Sequence, residues 1–209
     1  MGTADMNSII KATFSDADLI AETLGEAFDD DPVISYLLGA SGNAYDFFRS
    51  LFQHIYLPFN CSFYLANDQG EMMGCALWSK PGQDPNALSL GFFKVLWQNR
   101  RNLTFSSLQR LFSTSNLSMR YHPKEPHYYL CAIGVNLSFR RQGAASRLLA
   151  SVLTMADQEQ VSVYLENSKE QNLAFYQKNG FKVVHKHILA NDGPPIWFMQ
   201  RSPQNPPQA

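Results

Sequence analysis

Short blocks of apolar, β-branched and aromatic residues alternate along this chain with longer segments in which apolar residues return every third or fourth position. Residues 8–14 read as a short strand. Ser15-Asp16-Ala17-Asp18 then supplies a helix N-cap with acidic residues in the first turn, and Leu19, Ile20, Leu24, Ala27 and Phe28 share one helical face. Asp29-Asp30-Asp31-Pro32 is expected to end that helix, because the residue before proline disfavours α geometry. Residues 43–59, rich in Phe and Leu, form a second helix on which His54 packs. Residues 62–66 and 72–78 are strands joined by a hairpin turn at Asn67-Asp68-Gln69-Gly70, and Lys80-Pro81-Gly82 closes the second. Residues 85–119 change character and read as two helices, an insert bounded at 85–120. Residues 128–135 are a buried strand. After it Ala145, Leu148, Leu149, Val152, Leu153 and Ala156 recur at helical spacing. Residues 161–166 are another strand. Asn167 or Ser168 caps a short helix, which Asn179-Gly180 stops. Residues 181–190 and 196–201 are the last strands, turned at Asp192-Gly193-Pro194. The pattern predicts an α/β (α+β) fold in one domain over residues 1–201, with a Pro- and Gln-rich tail at 202–209 left disordered.

Charge narrows the partners. The net charge is −1 and no basic tract stands out, so a nucleic-acid partner, whose phosphates call for clustered Lys and Arg, is not expected. Cys61, Cys75 and Cys131 are scattered in apolar, strand-like contexts, which suits buried free thiols and lacks the spacing of a metal site or disulfide framework. No stretch approaches the ~20 apolar residues of a membrane span, and no apolar signal core opens the chain. The expectation is a cytoplasmic protein, monomer or homodimer, with no membrane partner and no metal.

The chemistry concentrates between the strand at 128–135 and the helix after it. That junction carries Arg140-Arg141-Gln142-Gly143-Ala144-Ala145-Ser146. The first N–H groups of a helix lack intrahelical acceptors and sit at the positive end of its dipole, so small residues there make a site for phosphate or pyrophosphate. Arg140 and Arg141 add charge. Neither a P-loop nor a dinucleotide fingerprint is present.

The pattern Arg140-x-x-Gly143-x-Ala145 resembles the acetyl-CoA pyrophosphate loop of GNAT-type N-acetyltransferases. A second segment, Asn172-x-x-x-Tyr176-x-x-x-Gly180-Phe181, stands at the right separation after the next strand. Together they make the chain similar to the GNAT superfamily from residue 8 to 201. The likeness is closest to puromycin N-acetyltransferase and related antibiotic-type enzymes, through His122-Pro123-Lys124-Glu125-Pro126, Leu165-Glu166-Asn167-Ser168 and Gly193-Pro194 among others. The resemblance implies a mixed, mostly antiparallel sheet, splayed open between the strands ending at Val135 and Glu166, with acetyl-CoA as co-substrate in the gap. It implies that Ile133, Gly134 and Val135 pair with the pantetheine arm. Arg140, Arg141, Gln142, Gly143, Ala144, Ala145 and Ser146 hold the pyrophosphate in this scheme, and Asn172 bridges strand and cofactor. Tyr176 would protonate the leaving thiolate.

Glu166 is the carboxylate best placed as base, with helix capping or loop ordering as its alternative; His127 and Asp31 are weaker candidates. Asp31 in the acidic turn, with Phe93 and Trp97 in the insert, are expected to bind the acceptor, a small-molecule amine on an apolar or aromatic body. A solvated helix stop is the alternative for the three aspartates. A basic amphipathic insert can also lie on a membrane, but its mixed faces favour packing on the sheet. Two other functions stay open, an N-terminal acetyltransferase of proteins or peptides and a non-catalytic acetyl-CoA sensor.

Overall fold

A computed structural model describes residues 8–83, 89–190 and 192–204. Seven strands form one sheet: β1 (Ser8–Lys11), β2 (Ser62–Ala66), β3 (Met72–Ser79), β4 (His127–Val135), β5 (Ser162–Asn167), β6 (Lys182–Ile188) and β7 (Pro195–Arg201). Their spatial order is β1-β2-β3-β4-β5-β7-β6, and every neighbouring pair is antiparallel except β4 with β5. This is the mixed, mostly antiparallel sheet expected from the sequence.

The two-residue period sorts the sheet's side chains between two cores. Cys75 and Leu77 of β3 and Tyr164 of β5 join Ile20, Leu24, Phe48, Phe52, Val95 and Leu111 on one face. That face is covered by α1 (Ala17–Ala27), α2 (Pro32–Leu38), α3 (Ala44–Leu51), α5 (Leu90–Asn99) and α6 (Phe105–Tyr121). A π-helical turn at Phe52–Tyr56 joins α3 to the single turn α4 (Leu57–Phe59). Ala76, Trp78, Val163 and Leu165 face the other way, against Leu148, Leu149 and Val152 of α7 (Ala144–Gln158) and Tyr176 of α8 (Leu173–Lys178). Helix α1 presses so closely on β4 that a Cβ at Gly134 would stand 2.9 Å from both Ala27 Cβ and Leu24 Cδ2, so that strand position accepts only hydrogen.

Two local expectations change. Asp31-Pro32 starts a helix instead of only ending one: Asp31 is the N-cap of α2, with proline at its first position. In the expected tail, Gln204 donates its N–H to Asp157 Oδ1 at 2.8 Å, so residues 202–204 follow the body, while 205–209 lie outside the described residues. No helix among the described residues is long and apolar enough to cross a membrane.

Candidate active site

The parallel pairing of β4 with β5 runs from His127↔Ser162 to Leu130↔Leu165 and stops there. Beyond it β4 continues against β3, with Ala132, Ile133, Gly134 and Val135 paired only on that side. Glu166 and Asn167 continue against Phe198 and Trp197 of β7. The strands part, and backbone groups of residues 131–135 on the β5 side are left to other partners. A cleft of about 80 Å³ opens in the gap, lined by Leu130, Ile133, Leu165, Asn167, Asn172 and Tyr176 among others.

At the far end of β4 the chain makes a 3₁₀ turn at Leu137–Phe139 and reaches Gly143. Arg141 (φ 64) and Gly143 (φ 81) both take left-handed backbone, which turns the chain sharply into α7. Arg147 N–H is the first to find an intrahelical acceptor, Gly143 C=O at 3.1 Å. The N–H groups of Ala144, Ala145 and Ser146 precede it and form the open amide end. Nothing lies within 4 Å of where a Cβ would stand on Gly143. Arg140, Arg141, Gln142 and Ser146 are exposed around it, although the Gln142 amide is turned back to Ser138 C=O at 3.3 Å. Open space, aligned amides and two guanidinium groups fit a pyrophosphate.

On the β5 side a 3₁₀ turn at Glu170–Asn172 feeds α8. Asn172 stands at the N-cap position of that helix, with no cap hydrogen bond from its side chain, and borders the cleft with Tyr176. Tyr176 is buried between Phe175 and Phe181. Burial, and secondarily the charge of Asp31, pushes its phenol above the ordinary tyrosine range, so the hydroxyl keeps its proton throughout the neutral region.

A second, larger cavity of about 640 Å³ lies under the helical layer. Its aromatic wall is Phe28, Phe47, Phe48, Tyr56, Phe92 and Tyr129, and Leu111, Ser115 and Ser118 of α6 close another side. Asp31 and Glu166 are its two carboxylates. Phe28, Asp31, Cys131 and Glu166 line both the cavity and the cleft, so the two spaces meet at these four side chains. At the junction Glu166 accepts hydrogen bonds from Ser118 Oγ at 2.8 Å and Tyr164 OH at 3.2 Å. Burial nevertheless outweighs both donors and pushes its carboxyl up to about 7. The neighbouring Cys131 thiol is pushed up to about 12 by burial, which leaves it protonated and a poor nucleophile.

Sequence reasoning missed Ser118, because no local pattern aims a side chain of α6 at a carboxylate of β5; it missed Tyr164 too, although the two-residue period of β5 sets Tyr164 and Glu166 on one face. It also missed His122, which borders the large cavity. His127, the weaker base candidate, sits behind it: its Nδ1–H donates to Glu125 C=O at 2.7 Å, and its Nε2 lies 2.9 Å from His122 Nε2.

The acceptor-side expectations need correction. Asp31 is buried and committed locally: Oδ1 accepts from Val33 N–H at 3.0 Å and Ile34 N–H at 2.9 Å, and Oδ2 accepts from the Ser168 hydroxyl. Asp30 pairs with Lys169 Nζ at 2.5 Å, which holds its carboxyl below the usual range. Asp30 and Asp31 thus tie the α1–α2 connection to the loop after β5, while Asp29 and Asp30 stay exposed to solvent and only Asp31 is buried. Phe93 and Trp97 point outward from α5, and Phe92 occupies the cavity wall in their place. Removing the cap should show in stability. Asp31→Ala is expected to cost about 1–2 kcal/mol in denaturant unfolding, most of it restored in Asp31→Asn, whose amide oxygen still caps; equal midpoints for parent and Asp31→Ala would deny the cap its role.

Comparison with known proteins gives the family and the fold. The model of the acetyltransferase (GNAT) family matches residues 26–181, which include Asp31, the loop at Gly143, Glu166 and Tyr176. An uncharacterized N-acetyltransferase of Schizosaccharomyces pombe is 25% identical over 201 residues, covering 90% of this chain and 81% of its own. The fold is shared with a crystal structure described as histone acetyltransferase HPA2 and related acetyltransferase from Corynebacterium glutamicum, at TM-score 0.70 and 24% identity over 97% of this chain and 99% of that one. It is shared also with arylalkylamine N-acetyltransferase 2 from Aedes aegypti, at TM-score 0.66 and 14% identity over 95% and 100%. At these identities the structural likeness is one of fold. These matches carry the superfamily and do not single out the puromycin-type enzymes.

Proposed function

The chain belongs to the acetyltransferase (GNAT) family, and on that premise we propose that it moves an acetyl group from acetyl-CoA to the amine of a small molecule with an apolar, largely aromatic or aliphatic body. The observation that carries this is the junction at Glu166, where a narrow cleft holding a protonated phenol meets a large apolar cavity holding a carboxylate poised near neutral pH.

The roles follow from the chemistry of each group. The loop at Gly143 holds the pyrophosphate, and the freed backbone of Ile133, Gly134 and Val135 receives the pantetheine arm. The apolar wall takes the body of the acceptor, while Glu166 places negative charge where its ammonium group arrives. An ammonium has no lone pair, so one proton must leave before attack, and Glu166, its carboxyl pushed up to about 7, is suited to take it. Tyr176 gives a proton to the departing thiolate. Phe92 of α5 with Leu111 and Ser115 of α6 at the cavity wall supports a pocket for a compact body over a groove for an extended peptide.

Thiol release from acetyl-CoA, measured against arylalkylamines, alkylamines, polyamines, aminoglycosides and peptides, tests the reading. Turnover is expected with the apolar amines. Turnover with peptides alone would move the chain to the N-terminal acetyltransferases, and acetyl-CoA binding without any turnover would make it a sensor. Tyr176→Phe removes only a hydroxyl, and kcat is expected to fall on the order of 10²-fold with acetyl-CoA affinity nearly unchanged. An unaltered kcat in a chemistry-limited assay would take Tyr176 out of the mechanism.

A further inference from the structure

Helix α5 is apolar on both faces. Its inner face carries Phe92, Val95 and Leu96 against the core. Its outer face carries Leu90, Phe93 and Trp97, which are 82%, 50% and 67% exposed. Their i, i+3, i+7 spacing stacks them in one stripe. Phe105, the first residue of α6, is 75% exposed as well. A helix apolar all round is ordinarily covered on every side. Large aromatic side chains left in water at this spacing therefore call for a covering surface.

The surrounding charge chooses that surface. From Pro85 to Lys124 the chain carries six cations (Lys94, Arg100, Arg101, Arg110, Arg120 and Lys124) and no aspartate or glutamate, although the whole chain holds 18 acidic residues against 17 basic ones. Lys94 lies one residue from Phe93 and flanks the stripe, and Arg100 and Arg101 follow at the helix end; all three are exposed. The Arg100 guanidinium stands over the Trp97 ring, 4.2 Å from its centroid. In sequence the apolar and basic residues of this insert look mixed. On the folded helix they are sorted, so the expectation of no membrane contact does not extend to this face.

We propose that the outer face of α5 docks on an anionic lipid surface. Leu90, Phe93 and Trp97 enter the headgroup boundary, and Lys94, Arg100 and Arg101 meet the negative lipid groups. A second copy of the chain suits the face less well. A two-fold interface would set the same patch against itself and bring Lys94, Arg100 and Arg101 close to their own counterparts. The docking places one wall of the large cavity at the lipid boundary, since Phe92 lines the cavity from the inner side of the same helix. It is read by binding alone, whatever the acceptor.

The test uses the full chain with vesicles of phosphatidylcholine containing about one third phosphatidylserine, and with pure phosphatidylcholine vesicles as reference. Co-sedimentation with the anionic vesicles is expected to be about tenfold or more stronger, and to weaken as salt is raised. Trp97 gives a second readout. Trp78 and Trp197 are already buried, so a blue shift in emission on adding anionic vesicles reports Trp97 and should vanish in Trp97→Phe. The combined variant Leu90→Ser, Phe93→Ser, Trp97→Ser changes only solvent-facing positions and should keep acetyl-CoA binding while losing the vesicles. Arg100→Glu with Arg101→Glu should lose the preference for anionic lipid. No co-sedimentation of the parent, equal binding to neutral vesicles, or a Ser variant that binds like the parent would overturn the proposal. A parent dimer that the Ser variant converts to monomer, with no vesicle binding by either, would assign the face to a second copy.

Discussion

Glu166→Gln is expected to lower kcat on the order of 10²- to 10⁴-fold and, at the same time, to make the protein more stable above neutral pH. Both effects come from one cause. Burial pushes the carboxyl up to about 7, against hydrogen bonds from Ser118 and Tyr164 that favour the ion. A raised value means that the folded chain holds this proton more tightly than the unfolded chain does. The resulting stability is present in full below the ordinary glutamate value of 4.5 and is lost as pH rises through about 7. At pH 8 the parent therefore bears a half-buried anion, at a cost on the order of 1 kcal/mol or more. Glutamine cannot ionise and escapes that cost. Thermal melts of parent and variant should separate at pH 8, with the variant higher, and converge toward pH 5. The parent's kcat should rise with pH through about 7 once a substrate is in hand, and the limb should be absent from the variant's residual rate. A variant that turns over at the parent's rate would return Glu166 to a loop-ordering role.

Gly143→Glu is expected to weaken acetyl-CoA binding by roughly 10² to 10³, the scale of several kcal/mol of like-charge juxtaposition. Two effects combine, and they can be separated. Any side chain at φ 81 strains the backbone by about 1–2 kcal/mol. The charge would then act on a pyrophosphate bound at the amides of Ala144, Ala145 and Ser146, because the space at this Cβ is open. Gly143→Ala carries the strain without the charge. Calorimetric titration with acetyl-CoA should show a modest loss for alanine and a much larger one for glutamate. Equal affinities in Gly143→Ala and Gly143→Glu would mean that no anion sits at the loop.

All seven strands stand where the alternation of apolar and polar residues places them, with ends shifted by a few residues; β1, for instance, stops at Lys11 instead of Phe14. The strand–loop–helix unit around Gly143 was equally plain, because its strand, turn and amphipathic helix are contiguous and each is stabilised by near neighbours in the chain. Asp31-Pro32 shows how a local signal can be read in the wrong direction. Proline excludes α geometry from the residue before it, which ends one helix, and its own fixed φ starts another. The Asp-Pro pair was itself the cue for α2.

The strands, most of the helices and the small-residue turn at Gly143 were legible in the sequence, since periodicity, small residues and caps act over a few residues. The sequence also marked Tyr176 through the short helix that follows β5. Only the tertiary structure decided what meets what. Phe92 and Phe93 are adjacent and chemically alike, and the phase of α5 against the core sends one into the cavity and the other to the surface. Phe28 and Asp31 from the α1–α2 connection, Cys131 from β4 and Glu166 from β5 are three separate segments that converge where β4 and β5 part. The carboxyl of Glu166 acquires its value near 7 only from the loss of water around it, with Ser118 and Tyr164 brought from a distant helix and from its own strand. Periodicity records which side chains leave water; it carries no information on which of them come to share one dry space, and that sharing sets the chemistry.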